Sequence, residues 1–305
     1  MVIDVKDSIV FFGSGPVAAE SLSLLAKNFV IEAVITKPKP PHHRGNFPVI
    51  DVANDLGLKL LTATNKAELD SLIDATDLNS KVGVVVDFGI IISQKVINFF
   101  KFGIVNSHFS LLPEWRGADP ITFAILSGQS KTGVSLMIIE PTLDTGKLIT
   151  HRTIEINFDE TTPSLTKKLI SLSDDLLKEF LPKYMSGKLK PRSQPHPDRA
   201  TYSRKLTKED GVIDWSKSAD QIEREIRAFI EWPKSRTQLA NKEIIITKAH
   251  PHKENHMDNK VGEVIIDNGC LAVKCGEGYL CIDMLKPVGK NEMTAKSFLA
   301  GHRLN

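Results

Sequence analysis

Short apolar segments alternate with helical stretches along the first half of the chain, and this alternation limits the possible folds most strongly. Ile9 to Phe12 and Val82 to Val86 are continuous apolar runs, typical of strands covered on both faces of a parallel sheet. Gly103 to Asn106 is a further short strand, and residues 17–27 have apolar side chains at helical spacing. The alternation predicts a doubly wound, Rossmann-like α/β fold with its site at the carboxyl ends of the strands.

A segment rich in Pro, Ser and basic residues, 187–204, divides the chain and is typical of an interdomain linker. Five short strands with turn signals between them follow it, from Arg236 to Lys286. Closely spaced strands of this kind predict a small OB-like β-barrel. We therefore expect an α/β domain over residues 1–186 and a β-barrel domain over residues 205–305, joined by the basic linker.

Neither membrane anchoring nor secretion is indicated. The apolar runs are too short to cross a bilayer, and the N-terminal residues form neither a signal nor a transit peptide. Cys270, Cys275 and Cys281 lie in alternating apolar sequence and are expected to be small buried strand residues in a reducing compartment. A zinc site would need paired ligands at tighter spacing, so no metal is expected. These features predict a cytoplasmic protein.

Positive charge is concentrated in the second half of the chain. Residues 1–180 hold 17 Lys and Arg against 21 Asp and Glu, while the remaining residues hold 22 against 16. The excess is densest between residues 183 and 208, where eight cations face a single acid, Asp198. A polyanion such as RNA would be held there through its phosphates. A solvated basic linker is equally compatible with the charge alone.

The sequence from Gly13 to Ala18 fits the G-x-G-x-x-A pattern of a dinucleotide-binding turn between a strand and a helix. The second strand, however, ends at Thr36 without an acid that could hold the ribose hydroxyls. Pro16 also removes one backbone donor from the turn. A tight strand-to-helix turn is therefore the favoured interpretation.

Polar groups begin where the strand that precedes Asn106 ends. Asn106 offers an amide donor and His108 a titratable ring, and in extended chain two such positions point to the same side. Asp144 lies on a second turn, Leu143 to Gly146, between two further strands. An Asn, a His and an Asp that converge in one cleft suit acyl transfer. They supply a donor for the oxyanion, a proton shuttle and a group that orients the shuttle.

Each of these three residues also has a purely structural interpretation. An Asn at a strand end is often a turn residue, a single His is often a satisfied polar residue, and Asp before Thr-Gly often forms an Asx turn. No Ser or Cys nucleophile with a glycine elbow is present in the sequence, so covalent catalysis is unsupported. Taken alone, the residues leave a hydrolase and a transferase both open.

At these positions the chain resembles the folate-dependent formyltransferases. Their motif N-x-H-x-S-L-L-P followed by R-G stands complete at 106–113 and 116–117, and their L-D-T-G is 143–146. The stretch Asp87 to Ile91 resembles the loop that lines their folate pocket. The resemblance implies 10-formyltetrahydrofolate as the formyl donor and catalytic roles for Asn106, His108 and Asp144. The folate contacts it implies are Phe88, Gly89, Ile90, Ser110, Leu111, Leu112 and Pro113.

Within this superfamily the similarity is closest to the branch that formylates methionyl-tRNA, and it covers nearly the whole chain. Lys205 to Glu209, Ile213 to Ser216 and Lys286 to Lys290 carry it in the second half. It implies that residues 1–186 are catalytic, that residues 205–305 bind tRNA, and that initiator methionyl-tRNA receives the formyl group. The tRNA contacts it implies are Arg44, Lys188, Lys190, Arg192, Arg204 and Lys205.

Two other functions remain as alternatives. A formyltransferase that acts on an amino-sugar nucleotide would use the same Asn, His and Asp but would not need the basic linker. A non-catalytic RNA-binding relative would need the basic half and not the catalytic set. The chain is expected to act as a monomer on small-molecule folate and tRNA, without a metal or a membrane partner.

Overall fold

The computed structural model describes residues 8–40, 45, 47–252, 259–267 and 269–301. Two compact units are present, and each draws on several segments of the chain. The first comprises Met1–Gly117, Thr132–Ile154 and Thr166–Tyr202, and the second comprises Ala118–Lys131, Glu155–Leu165 and Ser203–Asn305. Within the described ranges, no helix is long and apolar enough to cross a membrane.

The secondary structure alternates between strands and helices as far as the middle of the chain and is then mainly β. The helices are α1 Pro16–Leu25, α2 Pro48–Asp55, α3 Lys66–Ala75, α4 Gln94–Phe99, α5 Pro120–Ser127, α6 Thr162–Met185, α7 Ala219–Ala228 and α8 Ala295–Gly301. The first nine strands are β1 Ser8–Phe12, β2 Val30–Thr36, β3 Leu60–Thr62, β4 Gly83–Val85, β5 Ile104–His108, β6 Arg116–Gly117, β7 Lys131–Ile138, β8 Leu148–Glu155 and β9 Tyr202–Ser203. The remaining strands are β10 Ser235–Leu239, β11 Lys242–His252, β12 Val264–Asp267, β13 Cys270–Lys274, β14 Tyr279–Pro287 and β15 Met293–Thr294.

Seven strands of the first unit form one sheet in the order β3-β2-β1-β4-β5-β7-β8. The first five are parallel to their neighbours, and β7 runs antiparallel to β5. Val10, Phe12, Ile35 and Val85 belong to the buried core of this unit, as expected for strands covered on both faces. The Rossmann-like α/β prediction is confirmed. The order reverses at β1 and β4, and loops that follow the strands there face the cleft of such a sheet.

The glycine turn after β1 has a structural role. The Gly13 amide donates to the Ile35 carbonyl and the Ser14 amide to the Asp87 carbonyl, so neither amide is available for a phosphate. A Cβ on Gly13 would lie 2.5 Å from the Cβ of Ala18, because strand and helix meet closely there. Pro16 begins α1, where its missing N–H costs nothing. The interpretation as a tight strand-to-helix turn is confirmed.

Side-chain caps explain three helices that the apolar spacing does not reveal. Asn65, Ser93 and Asp119 each accept a hydrogen bond from the backbone amide three residues later, at the start of α3, α4 and α5. Such N-caps satisfy amides that a helix leaves unpaired at its first turn. The three helices have ten residues or fewer, so they show little periodicity.

The second unit is built on an antiparallel sheet with the order β10-β11-β14-β13-β12, and β15 pairs with β14. The sheet curls into a half-barrel, which confirms the OB-like prediction for the second half. Helix α7 begins after Ser218, whose side chain accepts from the Gln221 amide, and it buries Ile222 and Ile226 against the sheet. Leu280 and Ile282 of β14 belong to the same core.

Two of the three cysteines are not free thiols. The structure joins Cys270 of β13 and Cys281 of β14 in a disulfide, with Cα atoms 5.9 Å apart. The expectation of reduced cysteines is therefore wrong for this pair, because antiparallel pairing brings together residues that lie 11 positions apart in sequence. Cys275 is a free thiol buried in the core of the second unit, as expected.

An ion pair between Arg204 and Asp210 closes the loop that joins these two residues. Both terminal nitrogens of Arg204 donate to the Asp210 carboxylate, at 2.8 and 2.5 Å, and the Thr207 amide donates to the same group at 2.7 Å. The Arg204 guanidinium holds the pKa of Asp210 well below its usual range. Because the folded pKa is depressed, the stabilisation is complete above the unfolded pKa of about 3.9 and is lost as pH falls towards the folded value.

Replacing Asp210 by Asn should therefore destabilise the protein at neutral pH and much less in acid. The partly exposed Arg204 limits the expected loss to about 1 kcal/mol at pH 7. Urea midpoints of the parent and Asp210→Asn, measured at pH 7 and near pH 3, would check this, with the exposed Asp159→Asn as control. A difference between parent and variant that grows in acid would contradict the assignment.

Candidate active site

The strand β5 places two predicted catalytic side chains at the carboxyl end of the first sheet. Asn106 is paired with Val85, the last residue of β4, and His108 follows two positions later. Ser107 between them points to the opposite face, where its hydroxyl is 2.6 Å from that of Ser173 on α6. Asn106 is half-buried, and its side chain makes no hydrogen bond to any residue that the structure describes. Its amide is therefore available to a ligand.

The imidazole of His108 is held by a backbone carbonyl. Its Nε2 lies 3.0 Å from the carbonyl oxygen of Trp115, and only 6% of the residue is exposed. A carbonyl oxygen can only accept, so Nε2 must carry a proton. The other nitrogen, Nδ1, lies 3.9 Å from Oδ2 of Asp144. Nδ1 is therefore the atom of this ring that can gain or lose a proton.

The turn between β7 and β8 supplies Asp144, as the sequence predicts. Oδ2 of Asp144 accepts the Gly117 amide at 2.7 Å, and the side chain is 12% exposed. The backbone of Asp144 is left-handed, with φ of 50°, which is uncommon outside glycine and most tolerated by Asn and Asp. Gly146 cannot carry a side chain, since a Cβ there would lie 1.7 Å from the Ile138 carbonyl oxygen.

Gln194 also holds this turn, and it was not among the predicted site residues. Its side-chain amide donates to the carbonyls of Asp144 and Gly146, at 2.7 and 3.0 Å. Its oxygen accepts from Nη2 of Arg116 at 2.6 Å, and both side chains are buried. Gln194 lies in the segment interpreted as a solvated linker, where a single buried polar residue leaves no periodic signal. The R-G of the motif was the available hint, because a buried Arg116 needs partners.

The residues predicted to bind folate fall into two groups. Phe88, Gly89 and Leu111 are exposed or half-buried, and a ligand can reach them. Ile90, Ser110, Leu112 and Pro113 are buried, and their predicted folate contacts stay a prediction. Ser110 donates to the Glu114 carbonyl and Leu112 packs against Met137.

The positively charged Lys37 lies beside the loop after β4 and was not among the predicted site residues. A Cβ on Gly89 would lie 2.7 Å from Nζ of Lys37, so the ammonium group lies directly beside this loop. The loop is also joined to the glycine turn, since the Ser14 amide donates to the Asp87 carbonyl. Lys37 thus follows β2 and reaches the same edge of the sheet as Asn106.

The predicted tRNA contacts are surface cations where the structure describes them. Lys188, Lys190 and Arg192 are exposed after α6, and Lys205 is exposed at the start of the second half. Arg204 is exposed too, but its charge is already paired with Asp210. Arg44 lies outside the described residues. These six contacts stay a prediction.

The possible metal ligands lie in the second unit. Among the described residues, one group of three such side chains comes together, formed by His250, Cys281 and Asp283. Asn106, His108 and Asp144 offer an amide donor, an imidazole and a carboxylate, which suit oxyanion and acid–base chemistry.

Comparisons with known proteins decide the family. The family described as Formyl transferase matches residues 7–181, and the one described as Formyl transferase, C-terminal domain, matches residues 205–303. The methionyl-tRNA formyltransferase of Roseiflexus castenholzii is 36% identical over 97% of this chain and 96% of its own length. The chain belongs to the methionyl-tRNA formyltransferase family. It is therefore an enzyme of the formyltransferase class, as its motifs predict.

Other relatives agree with this family membership. The methionyl-tRNA formyltransferase of Myxococcus xanthus is 36% identical over 98% of this chain and 96% of its own length. Among solved structures, an N-formyltransferase from Helicobacter canadensis, in complex with folinic acid and dTDP-3-aminofucose, superposes with a TM-score of 0.68. The match covers 90% of this chain and 97% of that one, and at 21% identity it establishes a shared fold.

Loss of the Gln194 amide should slow catalysis in this formyltransferase more than it weakens substrate binding. Gln194→Leu keeps the size and removes three hydrogen bonds, so the turn that carries Asp144 should shift. A misplacement of about 1 Å costs roughly 10- to 100-fold in rate. We expect kcat to fall by that amount while KM for the formyl acceptor changes less than about threefold.

Steady-state formyl transfer, compared with the exposed Gln238→Leu, would test this. An unchanged kcat in Gln194→Leu, in a protein whose circular dichroism matches the parent, would exclude the positioning role.

Proposed function

We propose that this chain transfers the formyl group of 10-formyltetrahydrofolate to the α-amino group of methionyl-tRNA, in its initiator form. The observation that carries the proposal is the match to curated methionyl-tRNA formyltransferases over nearly the whole chain, combined with the Asn106, His108 and Asp144 geometry. The related structure with folinic acid supports a folate carrier. A monomeric state and a cytoplasmic location complete the proposal.

The reaction begins when the amine nitrogen attacks the formyl carbon. A new C–N bond forms, and the carbonyl electrons become an oxyanion. The half-buried Asn106 amide, without another hydrogen bond among the described side chains, donates to this oxygen. An oxyanion donor of this kind contributes roughly 10² to 10³ in rate. When the oxyanion collapses, the bond between the formyl carbon and N10 of the folate breaks.

A proton must move from the attacking amine to the departing folate nitrogen. His108 is suited to carry it on Nδ1, because Nε2 is already committed to the Trp115 carbonyl. The Asp144 carboxylate, 3.9 Å from Nδ1, faces the positive charge that the ring then acquires. Both groups are shielded from water, which strengthens their attraction. Nδ1 later returns the proton to N10, so the ring ends the cycle as it began.

Folate binding follows from the placement of two loops. Phe88 and Gly89 follow β4 by a few residues and Leu111 follows β5, so all three lie on loops at the carboxyl ends of the paired strands that carry Val85 and Asn106. Their accessible surfaces suit a flat pterin ring. The same loops contain four buried residues that complete the proposed folate site: Ile90, Ser110, Leu112 and Pro113. Lys37, beside Gly89, adds a positive charge at the same edge of the sheet.

The catalytic assignment is tested most simply by removing one functional group at a time. Asn106→Ala removes the oxyanion donor, and Asp144→Asn keeps the turn residue but removes its charge. Each should lower single-turnover formyl transfer by about 10² or more while tRNA affinity stays within about twofold. The exposed Asn54→Ala and Asp55→Asn serve as matched controls. Normal turnover in either site variant would remove that residue from the mechanism.

The acceptor itself is tested by competition between substrates. Purified enzyme with 10-formyltetrahydrofolate is offered charged initiator tRNA or a panel of amino-sugar nucleotides, at two salt concentrations. We expect formylmethionyl-tRNA only, and a kcat/KM that falls as salt rises, because Lys188, Lys190 and Arg192 neutralise phosphates. Transfer only to a sugar nucleotide would retain the chemistry and overturn the substrate.

A further inference from the structure

Three side chains of the second unit meet on one face of its β-sheet, and a fourth is bonded to one of them. His250 of β11 stands directly opposite Cys281 of β14, and Asp283 lies two positions further along the same strand. Residues two apart on a strand share a face, so all three point to the same side. Cys270 of the neighbouring strand reaches the same place, since its sulfur is bonded to that of Cys281. The proposed formyl transfer uses none of these groups.

The separations between these donor atoms approach those around a single metal ion. Nδ1 of His250 and Oδ2 of Asp283 are 3.0 Å apart, and the ligand atoms of His250, Cys281 and Asp283 all lie within 4.8 Å of one another. Two ligands of a tetrahedral zinc ion lie about 3.3 Å apart if they are nitrogen or oxygen, and about 3.8 Å if both are sulfur. Shifts of about 1 Å would bring these three donors to such distances, and reduction of the disulfide would free the Cys270 sulfur to join them.

The chemistry of the donors selects a soft to borderline cation. After reduction, two thiolates, an imidazole and a carboxylate would be a set of four ligands that suits tetrahedral Zn²⁺, whereas calcium and magnesium need several oxygen ligands. Cys275 does not belong to the set. It is buried in the core, and this burial raises the pKa of its thiol to about 11.

An ion can reach the cluster from solvent. A cavity of about 400 Å³ opens over it, and His250 has a side chain that is 53% exposed. Two further titratable groups face this cavity: His252 from β11 and Lys296 from α8. Lys296 is the one permanent cation among them, and the charges of two thiolates and Asp283 outweigh it.

We propose that this cluster is a zinc site that competes with the disulfide. A dithiol reductant supplies two electrons and two protons, which break the Cys270–Cys281 bond and leave two thiols. Zn²⁺ then displaces both thiol protons and is held by Cys270, Cys281, His250 and Asp283. Oxidation of the two thiolates by a disulfide compound reforms the bond and releases the ion. The disulfide cross-links β13 and β14, whereas the metal would also cross-link β11 to them through His250.

The central test is zinc binding by the full-length protein in two redox states. Protein reduced with a phosphine and protein oxidised with a small disulfide are dialysed against Zn²⁺, and bound metal is measured by mass spectrometry. We expect about one zinc per reduced chain and almost none per oxidised chain. Absence of stoichiometric zinc from the reduced protein would overturn the proposal. Equal amounts of bound zinc in both states would show that Cys270 and Cys281 are not ligands.

Variants and a spectroscopic probe identify the ligands. Cys281→Ser and His250→Ala should each weaken zinc binding roughly 100-fold, whereas the exposed His151→Gln should leave it unchanged. Co²⁺ added to the reduced parent should give the intense ligand-to-metal charge-transfer absorption of thiolate coordination. This absorption is measured on the parent protein, so it does not depend on whether a variant folds. Co²⁺ that binds without such absorption, or variants that keep parental affinity, would reject the site.

Discussion

The hydrogen bond from the Gly117 amide to the Asp144 carboxylate is the contact on which the active site depends. It joins the loop that follows β5 to the turn between β7 and β8, across 27 residues of sequence. The same carboxylate faces Nδ1 of His108, so one group both fixes the loops and sets the electrostatics of the ring. Its low exposure makes this interaction stronger than a surface pair of equal length. Gln194 completes the arrangement by holding the carbonyl of Asp144 from the other side.

The proposed catalytic side chains are held by rigid parts of the backbone. Asn106 and His108 are presented by a strand buried in the sheet, which is a more precise support than a loop. The left-handed Asp144 and the side-chain-free Gly146 make a turn that few residue combinations could form. The proposed chemistry would therefore require little rearrangement of these three side chains. Preorganised dipoles of this kind provide a large share of the rate acceleration in acyl transfer.

The sequence predicts much of this, for physical reasons that differ between residues. Continuous apolar runs such as Val82 to Val86 identify buried parallel strands. The sequence predicts that the next strand ends at Asn106, whereas β5 extends to His108, because polar residues can also pair in the sheet. Helices α3, α4 and α5 are too short for their periodicity to be seen. Gln194 and the Cys270–Cys281 pair were missed because both depend on tertiary contacts, 48 to 50 residues away for Gln194 and across paired strands for the cysteines. Local patterns carry no information on such contacts.

The position of the proton on His108 is the property on which the proposed proton transfer depends most directly. It can be measured by long-range ¹H–¹⁵N correlation spectra of protein labelled at histidine nitrogen, with His108→Gln used to assign the signal. At a pH where the ring is neutral, Nε2 should show the shift of a protonated nitrogen and Nδ1 that of an unprotonated one. The opposite pattern, with the proton on Nδ1, would contradict both the bond to Trp115 and the route of the proton past Asp144.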